Sequence, residues 1–400
     1  MSQPTSGTVD HPTLLIDNLA GLKAEARPYQ RRIVRKTSDM FTGKFVNHRH
    51  EHECAAKSVM IESPTGSGKT VMGLMGIKEL QQEVPDLYVG WIAMRRNLLT
   101  QAANENVEKG INVQNIHFTS MFEKEPLQLM AARAAGKPIM LCIDECQHDS
   151  TDSMAHLHGL VKPDYILGLS ATPFRVDRAK LLFDKVIKDA GIHALIQDGY
   201  LSRYHHYTIP KWDPATVAET YLRDPAHWGK SIFYFVNLPQ CFELQNLLTM
   251  AGVRCDVVTG SSSAKEREAQ LEGFQNGDYD CLINCMVLTE GFDCPPLKTA
   301  WVRDSVKGPT MQMGGRVFRK FPTLPFKQIV QSGETHWPFI KTALPDEQYV
   351  WQETEWRSLK VNPHINLMNH NSRLAIAEVE VKMPNFLLQF QAKKNRRRTR

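Results

Sequence analysis

Two short segments carry residues whose types and spacing suit the binding of a nucleoside triphosphate. The first is SPTGSGKT, residues 63–70, which matches the phosphate-loop pattern G-x-x-x-x-G-K-[ST] except that serine replaces the first glycine. Gly66 and Gly68 permit close backbone turns around an anion, and Lys69 would neutralise the β- and γ-phosphates. The Thr70 hydroxyl would ligate Mg²⁺. Serine is sterically tolerable where the chain leaves a strand, so we expect a functional loop.

The second segment is IMLCIDECQH, residues 139–148, an apolar run that ends in two acids. Asp144, at the carboxyl end of a strand, could hold the Mg²⁺ shell, and Glu145 could activate the attacking water. An acidic turn after a core strand would explain this pair equally well if it stood alone. Because the phosphate loop lies upstream, we expect hydrolysis of the nucleotide as well as binding.

The elements that must position these groups follow an alternating pattern. The apolar runs SVMIES, LYVGWIAM, IHFTS, IMLCIDE and YILGLSAT are separated by polar or helical segments. The pattern then restarts with SIFYFVN, RCDVVTG, CLINCMV and LKTAWV. Continuous apolar strands separated by helices are typical of parallel sheets that are covered on both faces. Ser263 and Glu266 form a capping-box pattern at the start of one of these helices.

This organisation predicts two successive α/β units that join near residues 198–214, and a smaller C-terminal segment. The predicted boundaries are an N-terminal extension over 1–26, a first domain over 27–205, a second domain over 206–322 and an appendage over 323–400.

Composition narrows the class of protein. A chain of 400 residues, 42% hydrophobic and 23% charged, is long enough for two globular domains and contains no uninterrupted apolar stretch of membrane-spanning length. The eight cysteines are scattered among apolar runs, which favours reduced thiols over a disulfide framework.

The N-terminus lacks the pattern of an export signal, so we expect a cytoplasmic location in a bacterial or phage-infected cell. The net charge is +5, and the chain ends in KKNRRRTR. This tail favours a polyanionic partner, although a solvated terminus explains it as well.

The chain resembles the superfamily 2 helicases and translocases, motif by motif and in order. The matching segments are RPYQ at 27–30, SPTGSGKT (motif I), DECQH (motif II, DExH type), SATP at 170–173 (motif III), TEGFD at 289–293 (motif V) and QMGGRVFR at 312–319 (motif VI). The segments DGYLS, VTGSSSAKERE and LTEGFDCP resemble the group that contains type III restriction motor subunits, XPB-like repair helicases and phage-encoded helicases.

The resemblance implies two tandem RecA-like parallel-sheet domains, the cofactors ATP and Mg²⁺, and a set of site residues. The catalytic set is Lys69, Glu145, Gln312, Arg316 and Arg319, with an arginine finger donated from the second domain. The ATP-binding set is Gln30, Pro64, Thr65, Gly66, Ser67, Gly68, Lys69, Thr70, Gly291 and Asp293. The metal set is Thr70 and Asp144. The residues expected to couple nucleotide state to the nucleic-acid path are His148, Ser170 and Thr172.

The resemblance also implies contacts with a nucleic-acid backbone, made by Arg95, Arg96, Thr119, Thr259, Gly260 and Thr289. Such contacts position phosphates and read no bases. We expect DNA in preference to RNA, no membrane partner, and a protein partner for the appendage. Two other functions stay open. One is an RNA helicase, because backbone contacts do not distinguish the sugars. The other is a nucleic-acid-binding scaffold that uses ATP only as a conformational switch.

Three further patterns are open to a simpler interpretation. His48, His50, His52 and Cys54 alternate in a way that could suit zinc, but i, i+2 neighbours strain tetrahedral geometry, and we expect a polar loop. Pro345-Asp346 with Glu380-Val381-Lys382 resembles a nuclease pattern in a segment that is short for a nuclease domain. Trp337, Trp351 and Trp356 could stack on bases, and we expect a small aromatic core instead.

Overall fold

A computed structural model of the chain describes residues 26–148, 152–171, 183–285 and 294–359, with the backbone alone for Asn97, His148, Asp152 and Ala264. The contacts divide the chain into a large unit that ends at Asp346 and a small unit that begins at Glu347. The large unit contains two parallel sheets, each with helices between its strands.

The first sheet has the strand order β3-β2-β4-β5-β1-β6, and every neighbouring pair is parallel. Its strands are β1 Ser58–Glu62, β2 Tyr88–Ala93, β3 Ile116–Ser120, β4 Ile139–Asp144, β5 Tyr165–Ser170 and β6 Lys185–Lys188. The helices are α1 Pro28–Thr42, α2 Lys69–Glu83, α3 Arg96–Glu108, α4 Leu127–Ala134, α5 Asp152–Val161 and α6 Ile192–Gln197. A 3₁₀ turn over Cys146–His148 follows β4.

The second sheet continues the large unit with the order β7-β12-β11-β8-β10-β9, again parallel throughout. Its strands are β7 Arg203–Ile209, β8 Ser231–Phe235, β9 Cys255–Val258, β10 Cys281–Cys285, β11 Thr299–Trp301 and β12 Phe326–Ser332. The helices are α7 Pro214–Arg223, α8 Pro225–Trp228, α9 Leu238–Met250, α10 Ala264–Asn276 and α11 Lys307–Gly315, with 3₁₀ turns over Arg316–Phe318 and Phe339–Lys341.

The small unit contributes an antiparallel hairpin of β13 Glu347–Gln352 and β14 Glu355–Ser358. Trp351 and Trp356 face each other across it with ring centroids 5.1 Å apart, so the predicted aromatic core holds for this pair. The basic tail and residues 380–382 of the nuclease pattern lie outside the described residues. Asp346, the acid of the Pro-Asp pair, is ion-paired with Arg203.

The predicted fold class is confirmed, because all nine apolar runs form strands of these two sheets. Every residue of the strands β4 and β8 is buried, as expected for parallel strands with helices on both faces. The predicted capping box is also present. The Glu266 amide donates to Ser263 Oγ at 3.2 Å, and the Ser263 amide donates to Glu266 Oε2 at 2.8 Å.

The predicted domain boundaries need two corrections. The strand β7 begins at Arg203, so residues 203–205 belong to the second sheet. The predicted appendage begins too early as well, because β12 pairs in parallel with both β7 and β11. The second domain therefore extends beyond residue 322, through β12, within the unit that ends at Asp346.

The histidine-rich segment forms a loop, as predicted, with Val46 bridged to His52 and His50 in a left-handed turn (φ 61°). Within the described ranges, no cluster of three or more His, Cys, Asp or Glu side chains is arranged to hold a metal ion. None of the helices in those ranges has the length and apolarity needed to cross a membrane.

Candidate functional site

The phosphate loop connects β1 to α2 and has the backbone that its glycines predict. Gly66 and Gly68 have φ values of 81° and 83°, in the left-handed region that favours glycine. Gly68 directly precedes α2, which begins at Lys69. The first N–H groups of a helix therefore stand behind the loop, which is the arrangement that binds phosphate.

Serine at position 63 has a structural role of its own. Ser63 Oγ donates to Ser67 Oγ at 2.8 Å, and Ser67 Oγ in turn donates to the Pro64 carbonyl at 2.7 Å. Both serines are buried, and the Ser67 amide also donates to Pro64. The hydroxyl and amide of Ser67 thus stabilise the loop from inside, and its place in the ATP-binding set stays a prediction. The Pro64 carbonyl accepts both hydrogen bonds from Ser67 and so stabilises the same loop conformation.

The RPYQ segment packs against the same loop. Gln30 Nε2 and Tyr29 Oη both donate to the Ser67 carbonyl, at 2.9 and 2.5 Å. Gln30 Oε1 accepts from the Arg27 amide at 3.0 Å. Gln30 is buried and still lines the cavity described below, and its role in ATP binding stays a prediction. Tyr29 is a loop-supporting residue that the sequence analysis missed, although it lies inside the quoted motif.

The charged groups predicted for catalysis converge. Lys69 Nζ lies 4.0 Å from Glu145 Oε1, and Asp144, at the end of β4, is 5% exposed. Burial raises the pKa of Asp144, and the adjacent Glu145 carboxylate adds to the effect. Glu145 has a left-handed backbone (φ 52°), which is unusual for a residue with a side chain and concentrates at functional sites.

Gln147 connects Glu145 to motif III. Gln147 Nε2 donates to Glu145 Oε2 at 2.9 Å, and Ser170 Oγ donates to Gln147 Oε1 at 2.7 Å. His148, predicted to couple nucleotide state to the nucleic-acid path, has its side chain outside the described residues, so that role stays a prediction. The observed bridge is made by the preceding residue, Gln147, the fourth of the motif. The Ser170 carbonyl also accepts a hydrogen bond from the Ser63 amide at 2.9 Å, and the coupling role of Ser170 stays a prediction.

Motif VI of the second domain faces the phosphate loop of the first. A Cβ placed on Gly66 would lie 3.6 Å from Arg319 Cγ, and one placed on Gly315 would lie 3.5 Å from Thr65 Cβ. The Ser202 amide, just before β7, donates a hydrogen bond to the Phe318 carbonyl of motif VI at 2.8 Å. The two lobes therefore meet with an arginine at the loop.

A cavity of about 450 Å³ lies between these groups, a size typical of small-molecule sites. Residues of both lobes line it: Gln30, Thr65, Gly66, Gly68, Lys69, Thr70, Asp144, Glu145, Gly315, Arg316 and Arg319. Gln312 is not among the lining residues and is half-buried on α11. One wall is formed by Arg27, which lies over the Tyr200 ring (5.4 Å to the centroid), and Tyr200 also contacts Tyr29.

The donor set in the cavity fits Mg²⁺. The Asp144 carboxylate at the end of β4 and the Thr70 hydroxyl at the start of α2 are oxygen donors, and both residues line the cavity. Mg²⁺ takes few protein ligands and relies on phosphate and water oxygens for the rest. Burial disfavours the charged form of Asp144, and a bound cation would stabilise that charged form.

The residues predicted to contact nucleic acid divide into two groups. Arg96 is exposed and Arg95 partly exposed at the start of α3, and Gly260 faces open space. Thr119 is only 4% exposed within β3, and Thr259 is 7% exposed, with its hydroxyl bonded to Ser261 and Ser262. Both threonines are thus buried in this structure, and their contacts with a nucleic-acid backbone stay predictions. Thr172, Thr289, Gly291 and Asp293 lie outside the described residues.

Two family models match the chain. Residues 23–175 match "Type III restriction enzyme, res subunit", and residues 216–320 match "Helicase conserved C-terminal domain". The matches include β1 to β5 of the first sheet and β8 to β11 of the second, and together they span well over half of the chain.

Curated relatives are distant. A 51.5 kDa protein of a Lactococcus phage is 24% identical over 262 residues, which is 59% of this chain and 56% of that protein. A candidate ATP-dependent helicase of Saccharomyces cerevisiae, IRC3, is 21% identical over 319 residues, 66% of this chain and 46% of its own length. The chain thus spans about half the length of these relatives.

Solved structures share the fold. The ATP-dependent Type ISP restriction-modification enzyme LlaBIII bound to DNA superposes with a TM-score of 0.52 at 14% identity, over 76% of this chain and 27% of that one. A variant of S. cerevisiae Dbp5 bound to RNA and ADP BeF3 gives 0.50 at 14% identity, over 79% and 88% of the two chains.

The order of the motifs, the two-lobed cavity and the paired family models lead to one assignment. The chain belongs to the superfamily 2 helicases, in the group that contains the type III restriction motor subunits and phage-encoded helicases.

Proposed function

We propose that the chain is an ATP-dependent motor that acts on nucleic acid, with DNA as its track, and that it hydrolyses ATP in the cavity between its two lobes. The observation that carries this proposal is the apposition of Arg319 and Gly315 to the phosphate loop. A nucleotide in the cavity would touch both lobes, so its hydrolysis changes the contacts that hold them together.

Residues of both lobes have separate roles in the proposed hydrolysis of ATP. Lys69 neutralises the β- and γ-phosphates from the first lobe, and Thr70 and Asp144 would hold Mg²⁺, which supplies charge neutralisation when bound. Glu145 accepts a proton from the attacking water. Arg319 or Arg316 reaches in from the second lobe to stabilise charge that develops on the phosphoryl group.

The support for DNA is the match to a restriction-enzyme subunit and the fold shared with a restriction enzyme bound to DNA. RNA is the alternative, supported by the similar fold of the Dbp5 variant bound to RNA. The phage relative agrees with action in the cytoplasm of a phage-infected cell. A protein partner for the C-terminal appendage, predicted over 323–400, stays a prediction.

The test is ATP hydrolysis by the purified chain alone and with single-stranded DNA, duplex DNA, forked DNA or RNA, with Lys69→Ala as the inactive control. We expect a DNA to raise turnover most. Stimulation by RNA alone would favour the RNA helicase. If Glu145→Gln bound ATP and matched the wild type in every assay, the chain would be the ATP-switched scaffold instead.

A further inference from the structure

A cluster of one aromatic and two basic side chains on the second lobe takes no part in the cavity. Lys307 Nζ and Lys341 Nζ lie 5.5 and 5.3 Å from the centre of the Trp337 ring. Both lysines are exposed, and Trp337 is half-buried. We call these three residues the tryptophan–lysine cluster.

The charges of the cluster are not neutralised locally. In the part of the chain that the structure describes, neither Lys307 nor Lys341 forms an ion pair. The nearby Asp304 carboxylate is engaged elsewhere. It accepts from the His336 amide at 2.7 Å, from His336 Nδ1 at 2.6 Å and from Thr335 Oγ1 at 3.1 Å. Two ammonium groups beside one ring therefore present a site for an anion at the surface.

The ring itself is held in place. Trp337 Nε1 donates to Thr342 Oγ1 at 3.2 Å, and Gln331 Nε2 donates to the Trp337 carbonyl at 3.4 Å. The indole is thus held in one orientation with both ammonium groups over its ring, and a base that stacks on it would take the place of one ammonium group, which could then bind the adjoining phosphate. Positive charge combined with an oriented aromatic ring is the combination that binds single-stranded nucleic acid without sequence preference.

The cluster lies on the edge of the sheet where a nucleic-acid path is expected. Lys307 follows β11 and Trp337 follows β12, and these strands are parallel neighbours, so both residues extend from the same carboxyl edge. Gly260, predicted to contact the backbone, follows β9 at that edge. Four strand spacings separate β12 from β9, or roughly 19 Å.

The position also connects the cluster to the arginines of the cavity. Lys307 begins α11, and Arg316 directly follows its last residue. Beyond Trp337, Phe339 packs against the other end of the same helix. A Cβ on Gly314 would lie 2.5 Å from Phe339 Cε2, and Phe339 stacks on Phe318 with centroids 5.5 Å apart. Contacts at the cluster can thus bear on the motif that faces ATP.

We propose that the tryptophan–lysine cluster is a binding site for single-stranded DNA, in which Lys307 and Lys341 bind backbone phosphates and Trp337 stacks on a base. This inference rests on the proposed function and places one part of the track on the second lobe.

The test measures binding of labelled single-stranded DNA to the full chain over a series of salt concentrations. We expect Lys307→Ala combined with Lys341→Ala to weaken binding and to reduce the slope of log affinity against log salt by about 1.4, the value for two phosphates of a single strand. The control is Lys162→Ala, an exposed lysine between α5 and β5, at the opposite edge of the first sheet. It should leave the slope unchanged.

The tryptophan is tested with two strands and two variants. Trp337→Ala should lower affinity roughly tenfold for an ordinary strand and leave affinity for an abasic strand unchanged. Trp337→Phe should retain most of the affinity. Hydrolysis of ATP without DNA should be that of the wild type in every variant, which also verifies folding.

The outcomes separate this inference from the proposed function. A wild-type chain that neither binds DNA nor hydrolyses ATP faster with any polynucleotide would overturn the proposed function. If the wild type binds DNA and the cluster variants bind it equally well, the cluster is not part of the track. An equal loss on ordinary and abasic strands would overturn the stacking role of Trp337.

Discussion

Replacement of Gln147 by leucine removes the amide that bridges Glu145 and Ser170 while keeping a side chain of similar size. Glu145 then loses a donor at 2.9 Å, and the Ser170 hydroxyl loses its acceptor at 2.7 Å. A hydrogen bond to a charged group is worth about 1.5–3 kcal/mol. If the whole of that energy orients Glu145 toward the water, kcat falls roughly 10- to 100-fold.

The assay is steady-state ATP hydrolysis with saturating polynucleotide. The KM for ATP should change little in the Gln147→Leu variant, because the phosphate loop is untouched. Ser170→Ala is the matched control, since it removes the neighbouring bond and leaves the bond from Gln147 to Glu145 in place. Ser170→Ala should lower kcat less than Gln147→Leu does. The loss of activation free energy in the double variant should be smaller than the sum of the losses in the two single variants, as expected for residues of one hydrogen-bond network.

Two results would refute this reasoning. A Gln147→Leu protein with wild-type kcat would mean that the amide does not orient Glu145. Strictly additive losses in the double variant would mean that Ser170 acts independently of Gln147, and the proposed connection between motif III and the catalytic acid would be wrong.

Three other changes have definite expectations. Gly68→Ala should abolish ATP binding, measured with a fluorescent analogue, because it strains a φ of 83° and places Cβ 2.6 Å from Gln30 Nε2; near-normal affinity would contradict the loop geometry. Ser63→Gly should lower the free energy of unfolding by about 1 kcal/mol through loss of the bond to Ser67, with hydrolysis retained; an unchanged urea midpoint would count against the brace. Burial lowers the pKa of His206 to about 4, so the unfolded chain takes up the proton first as pH falls. From pH 7 to 4 the free energy of unfolding should drop by roughly 3 kcal/mol on this account, and the His206→Gln protein should show a correspondingly smaller drop.

The central strands could be predicted because burial on both faces demands continuous apolar runs, and β4 and β8 meet that demand. The strand β12 could not, because its sequence FKQIVQS interrupts the run with polar residues that are nevertheless buried. Lys327 is fully buried and donates to the carbonyls of Pro295 and Leu297 at 2.8 and 2.6 Å. Contacts distant in sequence satisfy these groups, so a local pattern does not reveal the strand.

The candidate site also combines features that the local sequence predicts with features that depend on distant contacts. The loop glycines and the acids at the end of β4 follow from local chemistry, and the structure brings them together. The bridge through Gln147 depends on the direction in which the 3₁₀ turn after β4 presents its side chains. The burial of Thr119 depends on packing around β3.

The central claim is that one catalytic site is completed by residues of both lobes, and the Arg319→Ala protein tests it most directly. The measurement is single-turnover hydrolysis of ATP, with binding of a fluorescent ATP analogue measured in parallel. The matched control is Lys320→Ala, the adjacent cation that also lines the cavity. We predict that Arg319→Ala retains nucleotide binding and loses about 10³-fold or more in the hydrolysis rate, while the control stays near the wild type. Wild-type hydrolysis by both Arg319→Ala and Arg316→Ala would contradict the account, because the second lobe would then contribute no arginine to the reaction.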